Sequence, residues 1–211
     1  MSTAIIGTGN IGSALAEHLV SGGESVVLAA NEPPETLAKQ LGDLASAASV
    51  SEAIEAADVV VFAVWLDVMK TLISQNLPKL DGKIVVDTSN PVAANDKGEF
   101  HRTLPDGVSS GSVIASLIPA SAHFVKAFGT LSAEGLKDGA NRTPKRAVLF
   151  YATDDDQAEV VIERLISAAG FDPVKAGGLD AALRIEMYGD LHQYGGFNGK
   201  LVDKIEARAA L

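Results

Sequence analysis

A glycine-rich turn near the amino terminus constrains the fold of this chain more than any other feature. The stretch TAIIGTGNIGSALAEHL, residues 3–19, places Gly7, Gly9 and Gly12 between an apolar run and a segment of helical period. In a Gly-x-Gly-x-x-Gly turn the first glycine permits the tight turn, the second lets the backbone approach a pyrophosphate, and the third lets the helix pack against the strand. The motif therefore predicts a dinucleotide site, against the simpler alternative of a bare structural turn.

The rest of the chain has the alternating pattern of parallel β-α units. The run DVVVFAV, residues 58–64, is apolar throughout, as expected of a central parallel strand covered on both faces. Residues 88–107 are rich in Asn, Pro, Gly and Asp and predict mostly loop. We expect strands at residues 4–6, 24–31, 58–64, 83–87, 123–128 and 146–153, and a short one around 172–177. The pattern predicts an α/β fold with a doubly wound, mainly parallel sheet of the Rossmann type.

Local capping signals place several helix ends. Ser49 with Glu52 forms a possible capping box, and Asp154, three residues before Gln157, predicts the cap of a later helix. Gly170 predicts the end of that helix.

The length of 211 residues suits one substantial domain. We expect a single domain over residues 1–211, with a dinucleotide-binding core over about 1–129 and a C-terminal extension over about 130–211.

The net charge and the absence of cysteine limit the kinds of partner and site that this chain can have. The formal net charge of -10 disfavours nucleic acid and anionic membrane surfaces, so a small-molecule partner is expected. The chain has no cysteine, which excludes disulfides, thiolate nucleophiles and thiolate-bound metals and suits a reducing cytoplasm. The histidines show no short metal-ligand spacing, so no metal site is predicted.

Several single residues admit two interpretations each. Trp65 is either a wall of the ligand cleft or an ordinary core residue. Lys126 either contacts a phosphate or a cofactor carbonyl, or is simply solvated. His18 is interpreted as a packing or surface residue.

Six segments, the glycine turn among them, carry a resemblance over nearly the whole chain. They are IIGTGNIGSALA, FAVWLDVMKTL (62–72), DTSNPV (87–92), VKAFGTLSAEGL (125–136), LFYATDDDQAEVVIERLISAAGFDPVKAGGL (149–179) and GFNG (196–199). With these segments the sequence resembles the coenzyme F-420-dependent NADP oxidoreductase family. The resemblance implies hydride transfer between a nicotinamide and a deazaflavin or flavin-like acceptor, with NADP as cofactor, F-420 or a flavin as second substrate, and pairing of two copies through the C-terminal part.

The resemblance also implies a set of cofactor-binding positions and assigns no catalytic side chain. The glycine turn would hold the pyrophosphate, the end of the second strand would meet the adenosine ribose, and the ends of later strands would line the cleft and flank the nicotinamide. In chain order these positions are Gly7, Thr8, Gly9, Asn10, Ile11, Gly12, Asn31, Glu32, Val64, Trp65, Asn90, Pro91, Ala127, Phe128 and Gly129. Thr130, which follows Gly129, would also flank the nicotinamide.

The chain departs from the family pattern in three places. Asn31-Glu32 stands where the family commonly has Ser-Arg for a 2′-phosphate, so NAD stays open beside NADP. Gly129 stands where an Asn or His is usual, and AVWLDV lacks a common proline. The acceptor therefore stays open among F-420, a flavin, an imine, a ketone and a ferric chelate, and a non-enzymatic nicotinamide sensor is a further alternative.

Overall fold

The computed structural model describes residues 1–95 and 97–211, and its central feature is an eight-stranded sheet of order β10-β9-β8-β5-β4-β1-β2-β3. Its strands are β1 (Thr3–Ile6), β2 (Val26–Ala29), β3 (Ala45–Ala47), β4 (Val59–Phe62), β5 (Ile84–Asp87), β8 (His123–Lys126), β9 (Val148–Ala152) and β10 (Asp172–Gly177). A separate antiparallel hairpin pairs β6 (Val92–Ala94) with β7 (Phe100–Arg102).

Nine α-helices connect these strands in the described part of the chain. They are α1 (Asn10–Ser21), α2 (Glu35–Leu41), α3 (Val50–Ala56), α4 (Leu66–Asn76), α5 (Ser110–Ala115), α6 (Ala133–Gly139), α7 (Asp156–Ala168), α8 (Ala182–Ile185) and α9 (Lys204–Ala209). Two short 3-10 helices cover Leu77–Leu80 and Leu179–Ala181.

The predicted α/β fold with a doubly wound, mainly parallel sheet is confirmed. Strands β1, β2, β3, β4, β5 and β8 pair in parallel, while β9 meets β8 in antiparallel fashion and pairs in parallel with β10. All seven predicted strands are present; three of them (β2, β4 and β9) are one or two residues shorter at each end than the apolar runs, and β5 and β8 are shorter at one end only. The three strands that the sequence did not predict, β3, β6 and β7, have three residues each, too few to show a period.

The sheet is buried on both faces because its strands alternate their side chains between two cores. In β4, Val59 and Val61 pack into the core beneath α1, α6 and α7, whereas Val60 and Phe62 pack into the core beneath α3 and α4. All four side chains are fully buried. An apolar run without alternation is therefore the expected sequence of this strand.

The helix caps match the sequence with one correction. Ser49 and Glu52 form the predicted capping box at α3, and Gly170, with φ of +88°, follows the end of α7. The cap of α7 is Asp155, which accepts from two backbone N–H groups, and not Asp154. Asp154 instead accepts from the backbone N–H of Leu179 at 3.0 Å, because the start of the nearby 3-10 helix needs the same kind of acceptor.

The described residues contain no helix long and apolar enough to cross a membrane.

Candidate functional site

The predicted site residues lie along one edge of the sheet. Strands β1, β2, β4, β5 and β8 are parallel neighbours, so their carboxyl ends share that edge, and each group of predicted residues follows one of these ends. Ligands of doubly wound sheets bind at this edge.

The glycine turn between β1 and α1 leaves open space where a ligand can approach. Gly9 is exposed and caps α1 with its backbone, and among the described residues no side chain accepts a hydrogen bond from the helix start. A Cβ atom built on Gly9 would meet no heavy atom within 4 Å. The amide groups of the first helical turn therefore face a space that suits an anionic group.

The other two glycines of the turn are needed for close packing. A Cβ atom on Gly12 would lie 1.8 Å from the carbonyl oxygen of Gly7, and one on Gly7 would lie 2.4 Å from the carbonyl oxygen of Ala63. Gly7 also has a φ of +100°, which favours glycine. These contacts bring the start of α1 against β1 and β4.

Hydrogen bonds fix the turn to its neighbours. The Gly7 N–H donates to the carbonyl oxygen of Ala29 at 2.7 Å, which ties the turn to the end of β2. The Ser13 hydroxyl donates to the carbonyl oxygen of Thr8 at 2.9 Å. Asn31 and Glu32 follow β2 with exposed side chains, in the place where the adenosine ribose of a bound dinucleotide would lie.

Val64 and Trp65 follow β4. The Gly7 Cβ position would lie 2.6 Å from Cγ1 of Val64, so Val64 directly adjoins the glycine turn. Trp65 is 59% exposed and its ring lies 6.4 Å from that of Phe100, at an interplanar angle of 31°. The core alternative for Trp65 is therefore excluded, and its ring lies on the surface beside Phe100.

Asn90 joins the end of β5 to two other segments. Its side-chain amide donates to the carbonyl oxygen of Gly129 at 3.0 Å, and its side-chain oxygen accepts from the backbone N–H of Met187 at 2.6 Å. Pro91 follows with a buried ring. The polar atoms of Asn90 are thus used inside the protein, where they hold the C-terminal segment against the sheet edge.

The segment after β8 reaches the edge through its backbone. Ala127 and Phe128 are buried in the core, and Phe128 has a φ of +62°, which is uncommon for a bulky residue. A Cβ atom on Gly129 would lie 2.7 Å from the carbonyl oxygen of Thr88. With this backbone path, the Asn or His expected at position 129 would clash with β5, which accounts for the glycine.

His192 adjoins Gly129 on the side of the C-terminal segment. The side chain is buried, and Nδ1 accepts from the backbone N–H of Tyr194 at 3.0 Å. Burial lowers the pKa of His192 to about 4, with a smaller opposing effect of the Gly129 carbonyl. The imidazole is therefore neutral at pH 7.

Lys126 fits neither of its two predicted interpretations, since it is neither solvated nor free to contact a phosphate. The side chain is 2% exposed, and Nζ donates to Asp87 at 2.8 Å, to the hydroxyl of Ser110 at 2.8 Å and to the carbonyl oxygen of Ser89. A buried carboxylate at the end of β5 requires such a partner. Neither strand end by itself indicates the ion pair, because its two partners are 39 positions apart in the sequence.

Glu186 is a site residue that the sequence did not predict. It is fully buried, and Oε1 accepts from the Ser110 hydroxyl at 2.8 Å and from the Gly111 N–H at 3.1 Å. Burial raises the pKa of Glu186, against the opposing effect of Lys126. Oε2 has no hydrogen-bond partner among the described residues and lies 3.9 Å from Nη1 of Arg102. No local pattern marks Glu186, because its partners lie far away in the sequence.

Gln193 completes the attachment of the C-terminal segment. Its backbone N–H donates to the carbonyl oxygen of Thr130 at 3.0 Å, and its side-chain oxygen accepts from the backbone N–H of Ser132 at 2.8 Å. A surface groove of about 420 Å³ lies beside it, between α6 and residues 193–201. The lining of this groove includes none of the predicted cofactor-binding residues.

Metal-ligating side chains do not cluster in the described ranges: no group of three or more His, Asp or Glu residues there could hold an ion. His18 bonds through Nε2 to the carbonyl oxygen of Leu136 at 3.0 Å and packs edge-on against Phe171.

One known family has a sequence profile that matches the part of the chain containing the glycine turn and strands β1 to β5. Residues 2–91 match the sequence profile of the family described as NADP oxidoreductase, coenzyme F-420-dependent. The chain is 35% identical over 182 residues to the metalloreductase STEAP3 of Rattus norvegicus, a match that covers 86% of this chain. It spans 35% of the length of that curated relative.

Solved structures share the fold over most of the chain. A hypothetical protein of Sinorhizobium meliloti superposes with a TM-score of 0.83 at 29% identity, covering 97% of this chain and 96% of the other. A protein of Arthrobacter sp. FB24, provisionally assigned as an F-420-dependent NADP reductase, has a TM-score of 0.73 at 22% identity. The superposition covers 85% of this chain and 86% of the other. A reductive aminase of Aspergillus terreus has a TM-score of 0.61 at 18% identity, and the superposition covers 86% of this chain and 56% of the other.

Proposed function

We propose that the chain, whose residues 2–91 match the profile of the coenzyme F-420-dependent NADP oxidoreductases, binds NADP(H) at the glycine turn and transfers hydride to a flavin or deazaflavin acceptor. The observation that carries the proposal is the open, uncapped start of α1 beside Gly9. A pyrophosphate there would accept hydrogen bonds from the backbone amides of residues 10–12 and lie against the positive end of the helix dipole. The site thus fits the dinucleotide that the family name implies.

The residues of this chain would act by binding and positioning. The reduced nicotinamide, when bound, supplies the hydride. Val64 and Trp65 would border the ring on one side, and the backbone around Gly129, fixed by Asn90 and His192, would border it on the other. Among the described groups at this edge, Lys126, Asp87 and Glu186 are buried in contacts with one another. His192 is also buried, and its Nδ1 already accepts from the Tyr194 N–H. We therefore assign no side chain as a general acid or base.

We propose NADP(H) rather than NAD(H) as the preferred cofactor. The Asn31 side chain can donate to a 2′-phosphate. Glu32 is exposed, so its charge is screened within a Debye length of ~8 Å at physiological salt and repels the phosphate only weakly. An acidic residue that accepted from the ribose 2′-hydroxyl would favour NAD instead.

A second candidate is the reduction of a chelated metal ion. It is favoured by the 35% identity to a metalloreductase and by Gly129, which removes a side chain next to the proposed nicotinamide position. Reduction of an imine or ketone, or a sensor role without turnover, would use the same nucleotide site. We also propose that residues 1–211 act as one cytoplasmic domain, since β9 and β10 continue the main sheet, and that two copies pair.

The function is tested by following nicotinamide absorbance with purified protein, NADPH and one acceptor at a time. We expect oxidation of NADPH with F-420 or FMN. Oxidation with ferric chelates alone would favour the second candidate. NADPH binding without turnover for every acceptor would contradict the oxidoreductase proposal and favour a sensor, and absence of NADPH binding would contradict both.

A further inference from the structure

Three aromatic side chains from distant parts of the sequence are exposed together at the sheet edge. Trp65 follows β4, Phe100 begins β7 and Tyr188 follows α8, and they are 59%, 43% and 53% exposed. The rings of Trp65 and Phe100 are 6.4 Å apart, and the Tyr188 hydroxyl donates to the carbonyl oxygen of Phe100 at 3.1 Å. We name these three residues the aromatic platform. Aromatic residues make up 5% of the chain, so three exposed ones on one patch are not expected from composition.

The aromatic platform adjoins the proposed nicotinamide position from two directions. Trp65 follows Val64, whose side chain borders the glycine turn. Tyr188 follows Met187, whose backbone N–H donates to Asn90 at the end of β5. The platform therefore begins where the proposed cofactor site ends.

The fold holds Tyr188 in an unfavourable conformation that keeps its ring exposed. Its φ is +72°, which bulky residues rarely adopt. The flanking residues are anchored: Glu186 is buried in its network with Ser110, and the Gly189 N–H donates to the carbonyl oxygen of Glu186 at 2.8 Å. Backbone strain of this kind persists where the surrounding contacts enforce it, and it concentrates at ligand sites.

The size of the aromatic platform suits a small planar ligand better than another protein. From the exposed fractions of the three side chains, the platform offers roughly 300 Å². A stable protein interface needs about 800 Å² from each partner. Its polar atoms are also few, because the Tyr188 hydroxyl is already bonded to Phe100.

We propose that the aromatic platform binds the planar conjugated ring system of the hydride acceptor by stacking, so that ring shape rather than the charged tail of the acceptor determines recognition. This inference rests on the proposed function and deepens it. Aromatic faces attract planar rings with offset-stacked or edge-to-face geometry. The chain offers ring faces and little polar recognition at this position, so acceptors with the same ring and different tails should bind alike.

The sole tryptophan of the chain lies in the platform, so intrinsic tryptophan fluorescence reports on it directly. Protein saturated with NADP⁺ is titrated with riboflavin and with FMN, which share one ring system and differ in the phosphate. We expect saturable quenching with dissociation constants within about threefold of each other. Phe100→Ala should weaken riboflavin binding about tenfold, as loss of one stacked ring predicts. Tyr194→Ala is the matched control, because Tyr194 is 50% exposed but lines the separate groove.

Further outcomes separate this inference from the proposed function. If Phe100→Ala fails to fold, Tyr188→Gly serves in its place, since glycine tolerates the positive φ and removes the ring. Equal weakening by Tyr194→Ala, or no saturable quenching while calorimetry still shows NADPH binding, would overturn the platform and leave the proposed function intact. A protein dimer that dissociates on Phe100→Ala would identify the platform as a self-interface and overturn the inference. Absence of NADPH binding in the wild type would overturn the proposed function itself.

Discussion

The two halves of the sheet edge are built by different means. On the glycine-turn side, Gly9 leaves open space in front of backbone amides, Gly7 and Gly12 allow close backbone packing, and contacts run between neighbouring strands. On the β5–β8 side, polar side chains bind one another: Lys126 with Asp87, and Asn90 with Gly129 and Met187. The first half is formed by local backbone geometry, whereas the second depends on a C-terminal segment about 100 residues away in the sequence.

This difference predicts where each half is sensitive to substitution. A buried ion pair becomes costly when one partner is removed, because the other charge is left without compensation. At Gly9 the open turn tolerates a new side chain structurally but no longer admits a ligand, whereas Gly7 and Gly12 have no room for a side chain. We therefore expect stability effects on the β5–β8 side and a binding effect at Gly9.

Removal of the buried lysine should give the largest effect. Lys126→Met leaves Asp87 buried without its cation and should lower the free energy of unfolding by about 3–5 kcal/mol. Glu186→Gln is the control, because burial raises the pKa of Glu186 and a neutral amide is a closer substitute there. Urea unfolding of both variants measures the difference. An equal loss for both would contradict the special cost of leaving Asp87 without its cation.

Acid should destabilise the protein through His192. Because its pKa is lowered to about 4 in the folded state, the unfolded chain binds the extra proton first as pH falls below about 6.5. The stabilisation is present above pH 6.5 and is lost towards pH 4, by up to about 3 kcal/mol. The raised pKa of Glu186 acts oppositely, with stabilisation present below about 4.5 and lost as pH rises.

Comparison with a variant isolates the histidine contribution. His192→Asn keeps an acceptor near the Nδ1 position for the Tyr194 N–H and should flatten the pH dependence of the free energy of unfolding between pH 4 and 6.5. His101→Asn, at an exposed position, should retain the wild-type slope. A wild-type slope in His192→Asn would contradict the assignment.

Substitution of Glu32, on the glycine-turn side, should change the preference between NADPH and NADH by a smaller factor than the effects above. Glu32→Arg supplies a bidentate partner for a 2′-phosphate and should tighten NADPH binding about tenfold with little effect on NADH. Glu35→Arg, which makes the same charge change at an exposed position in the first turn of α2, controls for net charge. If the wild type binds NADH tenfold more tightly than NADPH, Glu32 accepts a hydrogen bond from the ribose 2′-hydroxyl and the NADP proposal is wrong.

The sequence predicts most of the fold because its signals are local. The apolar run of β4, the capping box at Ser49 and the glycine turn each occupy a few adjacent residues. The sequence predicts Asp154 rather than Asp155 as the α7 cap because consecutive aspartates offer similar acceptors. The contact of Asp154 with Leu179 distinguishes the two residues.

The second half of the edge could not be predicted in the same way. Ser110 and Glu186 are 76 positions apart, and no periodicity links them. Trp65, Phe100 and Tyr188 likewise come together only through the chain path of the β6–β7 hairpin and the segment after α8. Contacts between distant segments depend on topology, so residue type alone left Trp65 and Lys126 with two interpretations each.

The most direct test of the proposed nucleotide site is the calorimetric titration of Gly9→Val with NADPH. A side chain at Gly9 would enter open space and its φ of -73° suits any residue, so the fold should survive, as circular dichroism can verify. The valine would occupy the space in front of the α1 amides, and NADPH affinity should fall by about 100-fold or more relative to the wild type. Unchanged NADPH affinity in a folded Gly9→Val protein would contradict the account.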